Sequence, residues 1–293
     1  VKLVRAVKVG LMTGLKKNWS VGTERMNKEQ HAGRLSLELS RDDIHRGKLL
    51  LVNRDHPVVA QPPDGELEPA LKARCFALLE DRIMLESECL MMLASLIKAA
   101  GGETDIMAVS GYRTLQEQEE IFETSLEENG PLYTSQYVAY PGCSEHQTGL
   151  AVDVGLAGTP LDFIAPAFPD EGACLAFKQM AADYGFIQRY KEGKESITSI
   201  ACEPWHFRYV GTPHSQLIQE MDLCLEEYLA FIKAFTPQNG CLTWSGSGEI
   251  CDIFYVEAGE QGASIQLPDC DAFAVSGNNM DGYVITMTRR AAT

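Results

Sequence analysis

The stretch Pro141–Gly155, PGCSEHQTGLAVDVG, sets His146 seven residues ahead of Asp153, inside a run that otherwise reads as an apolar strand. A buried carboxylate is costly unless it is hydrogen-bonded, paired or bound to a metal. Leu150, Val152 and Val154 alternate with Ala151, Asp153 and Gly155. A strand here places the branched residues on one face and leaves Asp153 between two small residues on the other, where there is room for a ligand. Ser144 and His146, two positions apart, point the same way in an extended chain, and Gly149 can supply a turn between the two pieces. The segment can therefore present a hydroxyl, an imidazole and a carboxylate to one cavity.

Imidazole nitrogen and carboxylate oxygen are good zinc donors, and a catalytic zinc keeps three protein ligands and one open position. A third ligand has to come from elsewhere. The chain has six histidines, His31, His45, His56, His146, His206 and His214. His206 lies in the strand-like EPWHFRYVG, residues 203–211, with Glu203 close by. That pairing suits a zinc hydrolase: a histidine to hold the metal and a glutamate to accept a proton from water. Positions three apart on a regular strand face opposite ways, and Pro204 excludes a helix interior. Convergence of Glu203 and His206 thus requires a bend or bulge at Pro204–Trp205.

The rest of the chain bounds the answer. Its 293 residues, 45% hydrophobic, suffice for one sizeable core with a small second domain. A net charge of −16 argues against nucleic-acid binding, which needs basic patches, and against anionic membrane surfaces. Nine cysteines without CxxC spacing exclude a zinc ribbon or thioredoxin-type site and read as reduced thiols. No stretch approaches the roughly 18–20 apolar residues of a membrane span, and the apolar run near the N-terminus is too short for a signal-peptide core. The chain as given therefore reads as soluble and cytoplasmic, or as a cell-envelope protein if an upstream anchor was removed.

Along the chain, residues 1–45 read as an arm or short helix followed by a strand. GKLLLVNRDHPV, residues 47–58, reads as a strand ending in a turn, and residues 68–100 as one long amphipathic helix closed by Gly101–Gly102. Residues 105–113 make a strand and turn; Thr114 caps an acidic helix running to Asn129; residues 130–145 are a loop. Residues 170–185 form a core helix, 197–211 are strand-like, and 213–235 form a helix with Pro213 in its first turn. From 237 onward, short β-rich runs alternate with Gly, Asn, Asp and Pro turns. The expected organisation is an N-terminal arm over 1–45, a catalytic domain over 46–236 and a small all-β domain over 237–293.

SGYR (110–113), PGCSEHQTGLAVD (141–153) and EPWHFRYVG together resemble the zinc D-alanyl-D-alanine carboxypeptidase family, which includes the vancomycin-resistance dipeptidases and carboxypeptidases. Both family patterns, SxHxxGxAxD and ExxH, are intact, and the resemblance spans roughly residues 47–212. It implies one zinc held by His146, Asp153 and His206, with Glu203 as catalytic base. It further implies that Arg113 steadies the scissile carbonyl oxygen, that Ser144 helps hold substrate and that Gln118 faces the cleft. The implied fold is α+β: an antiparallel sheet with helices to one side and the zinc on the sheet face, as in D,D-peptidases and hedgehog-type domains. The implied reaction releases D-alanine from the D-Ala-D-Ala end of a peptidoglycan stem peptide or precursor. The alternatives are an L,D-carboxypeptidase or D,D-dipeptidase of the same fold, or a non-catalytic zinc module that binds cell-wall peptide. A pure binding module has no need of a base at Glu203. Taken singly, each of these residues has an ordinary structural explanation, and it is their joint placement in ordered motifs that favours the site. Trp205 reads as packing, His214 as solvated, and His31, His45 and His56 as unconnected with the site.

Overall fold

Alternation along the Leu150–Gly155 segment builds a strand whose two faces have opposite tasks. Val152 and Val154 enter an apolar core, while Asp153 turns away from it. The computed structural model describes residues 19–21, 35–63, 65–160, 162–246 and 248–291. The first elements are β1 (Trp19–Val21), β2 (Leu35–Leu39), β3 (Leu67–Pro69), β4 (Ala77–Leu78), β5 (Met84–Glu86) and α1 (Ser87–Ala99). Then come β6 (Ile106–Ser110), α2 (Leu115–Tyr137), β7 (Ala151–Leu156), α3 (Gly172–Met180), β8 (Phe186–Tyr190) and β9 (Glu203–Tyr209). The chain closes with α4 (His214–Glu220), α5 (Leu225–Ile232), β10 (Leu242–Gly246), β11 (Glu249–Glu257), β12 (Ala263–Leu267), β13 (Ala272–Gly277) and β14 (Gly282–Arg290).

Contacts separate two units. The larger, Val52–Cys224, is built on a five-stranded sheet of order β4-β6-β7-β9-β8, antiparallel except for the short parallel pairing of β4 with β6. One face is covered by α1 and α3, whose Leu93, Leu96 and Phe177 pack against Ala108, Val152, Val154 and Phe207. This is the α+β arrangement expected. The other unit takes the described residues up to Leu51 and from Leu225 onward. Its main sheet runs β1-β10-β11-β14-β13, with β2 and β12 as a separate antiparallel pair. The contact boundaries at 51/52 and 224/225 differ from the 45/46 and 236/237 expected, and β1 and β2 pair with strands of the C-terminal region instead of forming an arm. The short helix expected near the N-terminus lies outside the described residues.

Four elements depart from the sequence reading. Leu49, Leu50 and Leu51 are buried but form no strand: Leu49 N–H donates to Ser276 Oγ at 2.8 Å and Leu51 N–H to Asn278 O at 3.1 Å, so their backbone is satisfied without a ladder. The long helix over 68–100 reduces to α1, because Glu86 caps it, accepting from Cys89 N at 2.8 Å. Ahead of that cap, β3 pairs with β5, and Leu71, which a helix over 68–100 would turn to its apolar face, is 53% exposed. The acidic helix does start at its Thr114–Glu117 capping box, but it continues to Tyr137 across a kink at Gly130 (φ 77°), where Pro131 opens the next turn. Residues 213–235 form two helices, with Asp222 at φ 49° between them.

Gly149 joins the 145–148 turn to β7 at φ 72°; its carbonyl accepts from Glu86 N at 2.9 Å. A Cβ there would lie 2.6 Å from Leu67 Cδ2 and 3.3 Å from Glu86 N. Gly149→Ala should therefore lower stability by at least about 1–2 kcal/mol from the left-handed backbone alone. A reduced urea midpoint would show it, and an unchanged midpoint would remove the constraint assigned to this turn.

Candidate metal centre

Asp153 lies at the middle of the sheet. Its register partners are Ser110 on β6 and His206 on β9, so the three functional groups are fixed to one row by backbone pairing. Two irregularities aim them. On β6, Val109 is an extra residue between the pairs Ala108↔Val154 and Ser110↔Asp153. On β9, the pairs Gln188↔Phe207 and Tyr190↔Glu203 enclose more residues on β9 than on β8. This is the bulge required at Pro204–Trp205, and it brings Glu203 Oε2 to 3.9 Å from His206 Nδ1.

His146 sits in the single turn Glu145–Thr148. Its Nδ1 is 2.7 Å from the Gly111 carbonyl oxygen, which can only accept; the proton therefore belongs on Nδ1, and Nε2 offers its lone pair towards Asp153 Oδ2, 3.1 Å away. His206 offers the opposite nitrogen, with Nδ1 2.8 Å from Asp153 Oδ1. One donor atom from each of His146, Asp153 and His206 lies within 4.8 Å of the others, and all three residues are buried. Two imidazoles and a carboxylate, with the outward nitrogen of His146 committed to a backbone acceptor, are a donor set that fits zinc.

Arg113 leaves the end of β6 and closes one side. Its Nη2 donates to Asp153 Oδ2 at 2.9 Å, Nε to Ser110 Oγ at 2.9 Å and Nη1 to Gln118 Oε1 at 3.1 Å. Gln118 is fully buried, and its amide nitrogen donates to Ala139 O at 2.8 Å. Expected to face the cleft, it stands behind Arg113 instead: one end of its amide accepts from Arg113 and the other is tied to the Ala139 carbonyl. Ser144 is buried and lines a cavity of about 40 Å³ together with the three metal-donor residues, Arg113 and Glu203. A cleft of about 910 Å³ shares Arg113, Ile121, Phe163 and Ile164 with it. Tyr137 lines the smaller space and Tyr112 the larger.

Burial is the largest influence on every group here, and the partners decide the outcome. It pushes the Glu203 carboxyl up to about 8, with His206 and Arg113 acting against it. His146 is lowered to about 4 by burial and by Arg113. For His206, the surrounding carboxylates of Asp153, Glu145 and Glu203 outweigh burial and raise it to about 9. Asp153 is held well below the usual carboxylate range, its two histidines overriding burial.

Sequence reasoning missed Glu145, Arg189 and Arg208, all buried beside His206. The available signals were slight: Glu145 lies inside the quoted motif, and Arg208 is two residues from His206 on one strand face. His214, expected to be solvated, is buried at the start of α4. His45 pairs with Asn279 in the other unit, and His31 lies outside the described residues.

The chain is similar to known D-Ala-D-Ala peptidases. The family model described as VanY, D-alanyl-D-alanine carboxypeptidase, matches residues 82–212. The chain is 47% identical over 183 residues to the bifunctional D-Ala-D-Ala dipeptidase and D-Ala-D-Ala carboxypeptidase VanXYC of Enterococcus gallinarum, covering 61% of this chain and 92% of that one. It is 32% identical to a D-alanyl-D-alanine carboxypeptidase of Enterococcus faecium, covering 85% of this chain and 78% of the other. Among solved structures it is similar to the vancomycin-resistance D,D-dipeptidase VanXYg in complex with a D-Ala-D-Ala phosphinate analog. That match has a TM-score of 0.82 and 41% identity, over 87% of this chain and 99% of that one.

Metal analysis tests the centre directly. The purified protein should carry stoichiometric zinc, and His146→Ala and His206→Ala should each lose most of it. Full occupancy in both variants would remove these residues from the ligand set.

Proposed function

The chain belongs to the VanY-type D-alanyl-D-alanine carboxypeptidase family, and from that premise we propose that it is a zinc metallocarboxypeptidase. It hydrolyses the D-Ala-D-Ala bond at the end of a peptidoglycan stem peptide or precursor and releases D-alanine. The observation that carries this reading is the convergence of His146, Asp153 and His206 with a separate buried carboxylate, Glu203, at one end of an open cleft. His146, Asp153 and His206 would hold a zinc ion, which would supply Lewis-acid chemistry and make water a usable nucleophile near neutral pH.

The other steps belong to the protein. Glu203 accepts the proton of the attacking water and passes it to the departing amine; a carboxylate whose proton affinity is raised by burial suits that exchange. Arg113 is nearly buried and stays cationic, so its guanidinium donates to the carbonyl oxygen as negative charge develops there. Gln118 and Ser110 hold that guanidinium in place. Ser144, on the wall of the small cavity, donates to the terminal carboxylate of the substrate. A large cleft joined to a small pocket suits removal of one terminal residue from a longer peptide. Because the Enterococcus gallinarum relative combines both activities, the free dipeptide D-Ala-D-Ala belongs among the substrates to be assayed. Among the described residues no helix is long and apolar enough to cross a membrane.

Glu203→Ala should keep zinc and lose turnover by about 10²–10⁴-fold, the usual contribution of a general base; near-normal turnover would make Glu203 structural. Arg113→Lys keeps the charge but not the planar fork, and should lower kcat/KM sharply with zinc unchanged. Mass spectrometry of three digests addresses the substrate: a stem-like peptide ending D-Ala-D-Ala should release D-alanine, and its C-terminal amide and L-Ala-L-Ala analogue should be cut far more slowly. Equal cleavage of the amide would point to an endopeptidase.

A further inference from the structure

The two metal-donor histidines are anchored in different ways. His146 is held through Nδ1 by a neutral carbonyl, whereas His206 turns its Nε2 towards the Glu145 carboxylate, with Oε2 3.5 Å away. His206 Nε2 and Glu145 Oε2 are both fully buried, and neither has a hydrogen-bond partner at ordinary distance. Two orphaned polar atoms of opposite character, facing each other in a dry site, are each other's natural partner, because an unmade buried hydrogen bond is costly. A shift of a few tenths of an ångström completes the bond.

Glu145 is itself fixed by charge. Its Oε1 accepts from Arg189 Nε at 2.8 Å and lies 2.8 Å from Arg208 Nη1, with all three side chains at most 1% exposed. The cluster is assembled from three elements. Glu145 comes from the turn that carries His146, Arg189 from β8, and Arg208 from the face of β9 that also carries His206. A buried ion cluster contributes little net stability, since desolvation offsets most of the attraction. Its physical value lies in fixing geometry, and here the one free carboxylate oxygen is aimed at a metal-donor histidine.

We infer that Glu145, locked by Arg189 and Arg208, is a positioning residue that holds the proton of His206 on Nε2 and so presents Nδ1 to the metal. This rests on the metal-centre reading above. A carboxylate behind an imidazole also makes it a stronger donor than a carbonyl does, and loss of such a partner typically lowers metal affinity about 10–100-fold. Glu145→Gln retains shape and an acceptor oxygen but removes the charge.

The test measures zinc dissociation constants by chelator competition, and nitrogen-15 spectra of the histidine rings in the zinc-loaded protein. In the wild type, His206 should show a downfield, slowly exchanging proton on Nε2 and a metal-shifted Nδ1. In Glu145→Gln, zinc should bind about 10–100-fold more weakly and the Nε2 proton should exchange rapidly with water. An unprotonated or rapidly exchanging Nε2 in the wild type overturns the inference even if the variant fails to fold. A folded Glu145→Gln with native zinc affinity and an unchanged Nε2 proton overturns it as well. Failure of the wild type to bind zinc at all would instead overturn the metal-centre reading.

Discussion

Everything in the larger unit is organised around one expensive object, the Asp153 carboxylate in the middle of a sheet. An ionised group so placed persists only if several donors converge on it. Here Arg113 Nη2 donates to it at 2.9 Å, and the ring nitrogens of His146 and His206 lie 3.1 and 2.8 Å from its two oxygens, within reach of a shared metal. The demand propagates outward. His206 reaches Asp153 because β7 and β9 are in register, His146 because Gly149 turns the chain back, and Arg113 because β6 ends beside the same row. The apolar face of β7 supplies the rigidity, with Val152 and Val154 locked against α1 and α3.

The carboxylates close to this row have been given different partners, and hence different chemistry. Asp153 is surrounded by cationic or protonatable groups and stays ionised. Glu145 is clamped by two arginines, Arg189 and Arg208, and also remains charged. Glu203 has no such clamp, and burial raises its proton affinity. Carboxyl groups brought within a few ångströms of one another thereby differ in charge by what lies next to each, which is what suits them to the proposed roles of ligand, brace and base. The bulge on β9 is what makes the third role available, because a regular strand would have turned Glu203 to the opposite face from His206.

The site was more legible in the sequence than the scaffold. Asp153 stands out because a carboxylate within a period-two apolar run contradicts its surroundings, and Pro204 between Glu203 and His206 requires a bulge if the two are to converge. The scaffold errors share a cause: apolar residues were read as periodic when tertiary contacts had recruited them singly. Leu71 and Leu79 fit a helical stripe with Ile83 and Leu90, yet Arg74 at φ 53° and the β3–β5 pairing break the chain between them. Leu49–Leu51 look like a strand, but their backbone partners lie more than two hundred residues away, at the end of β13 and in the loop that follows it, and no local pattern reports this. The pairing of β2 with β12 is equally non-local. Arg189 was invisible for a related reason, since a strand arginine reads as solvent-facing until its buried carboxylate is known.

The distribution of charge also explains how a chain with a net charge of −16 can receive an anionic peptide terminus. Around the metal centre three carboxylates, Asp153, Glu145 and Glu203, face three guanidinium groups, Arg113, Arg189 and Arg208. Because burial favours the protonated form of Glu203 and its neighbours favour charged His206, the cluster is not negative by itself, and a divalent cation would add positive charge to it. Two of the arginines are committed to Glu145, which leaves Arg113 as the cation that reaches the cavity wall. Exposed acids on the lip of the larger cleft, such as Glu120 and Glu128, are screened beyond about 8–10 Å at ordinary ionic strength, whereas the buried charges act through a medium that screens them far less. Attraction for a terminal carboxylate is thus confined to the last few ångströms of approach, where the shape of the small pocket and the Ser144 hydroxyl also act. The proposed recognition of a free C-terminus therefore depends on this local geometry, and the acidity of the rest of the protein does not oppose it.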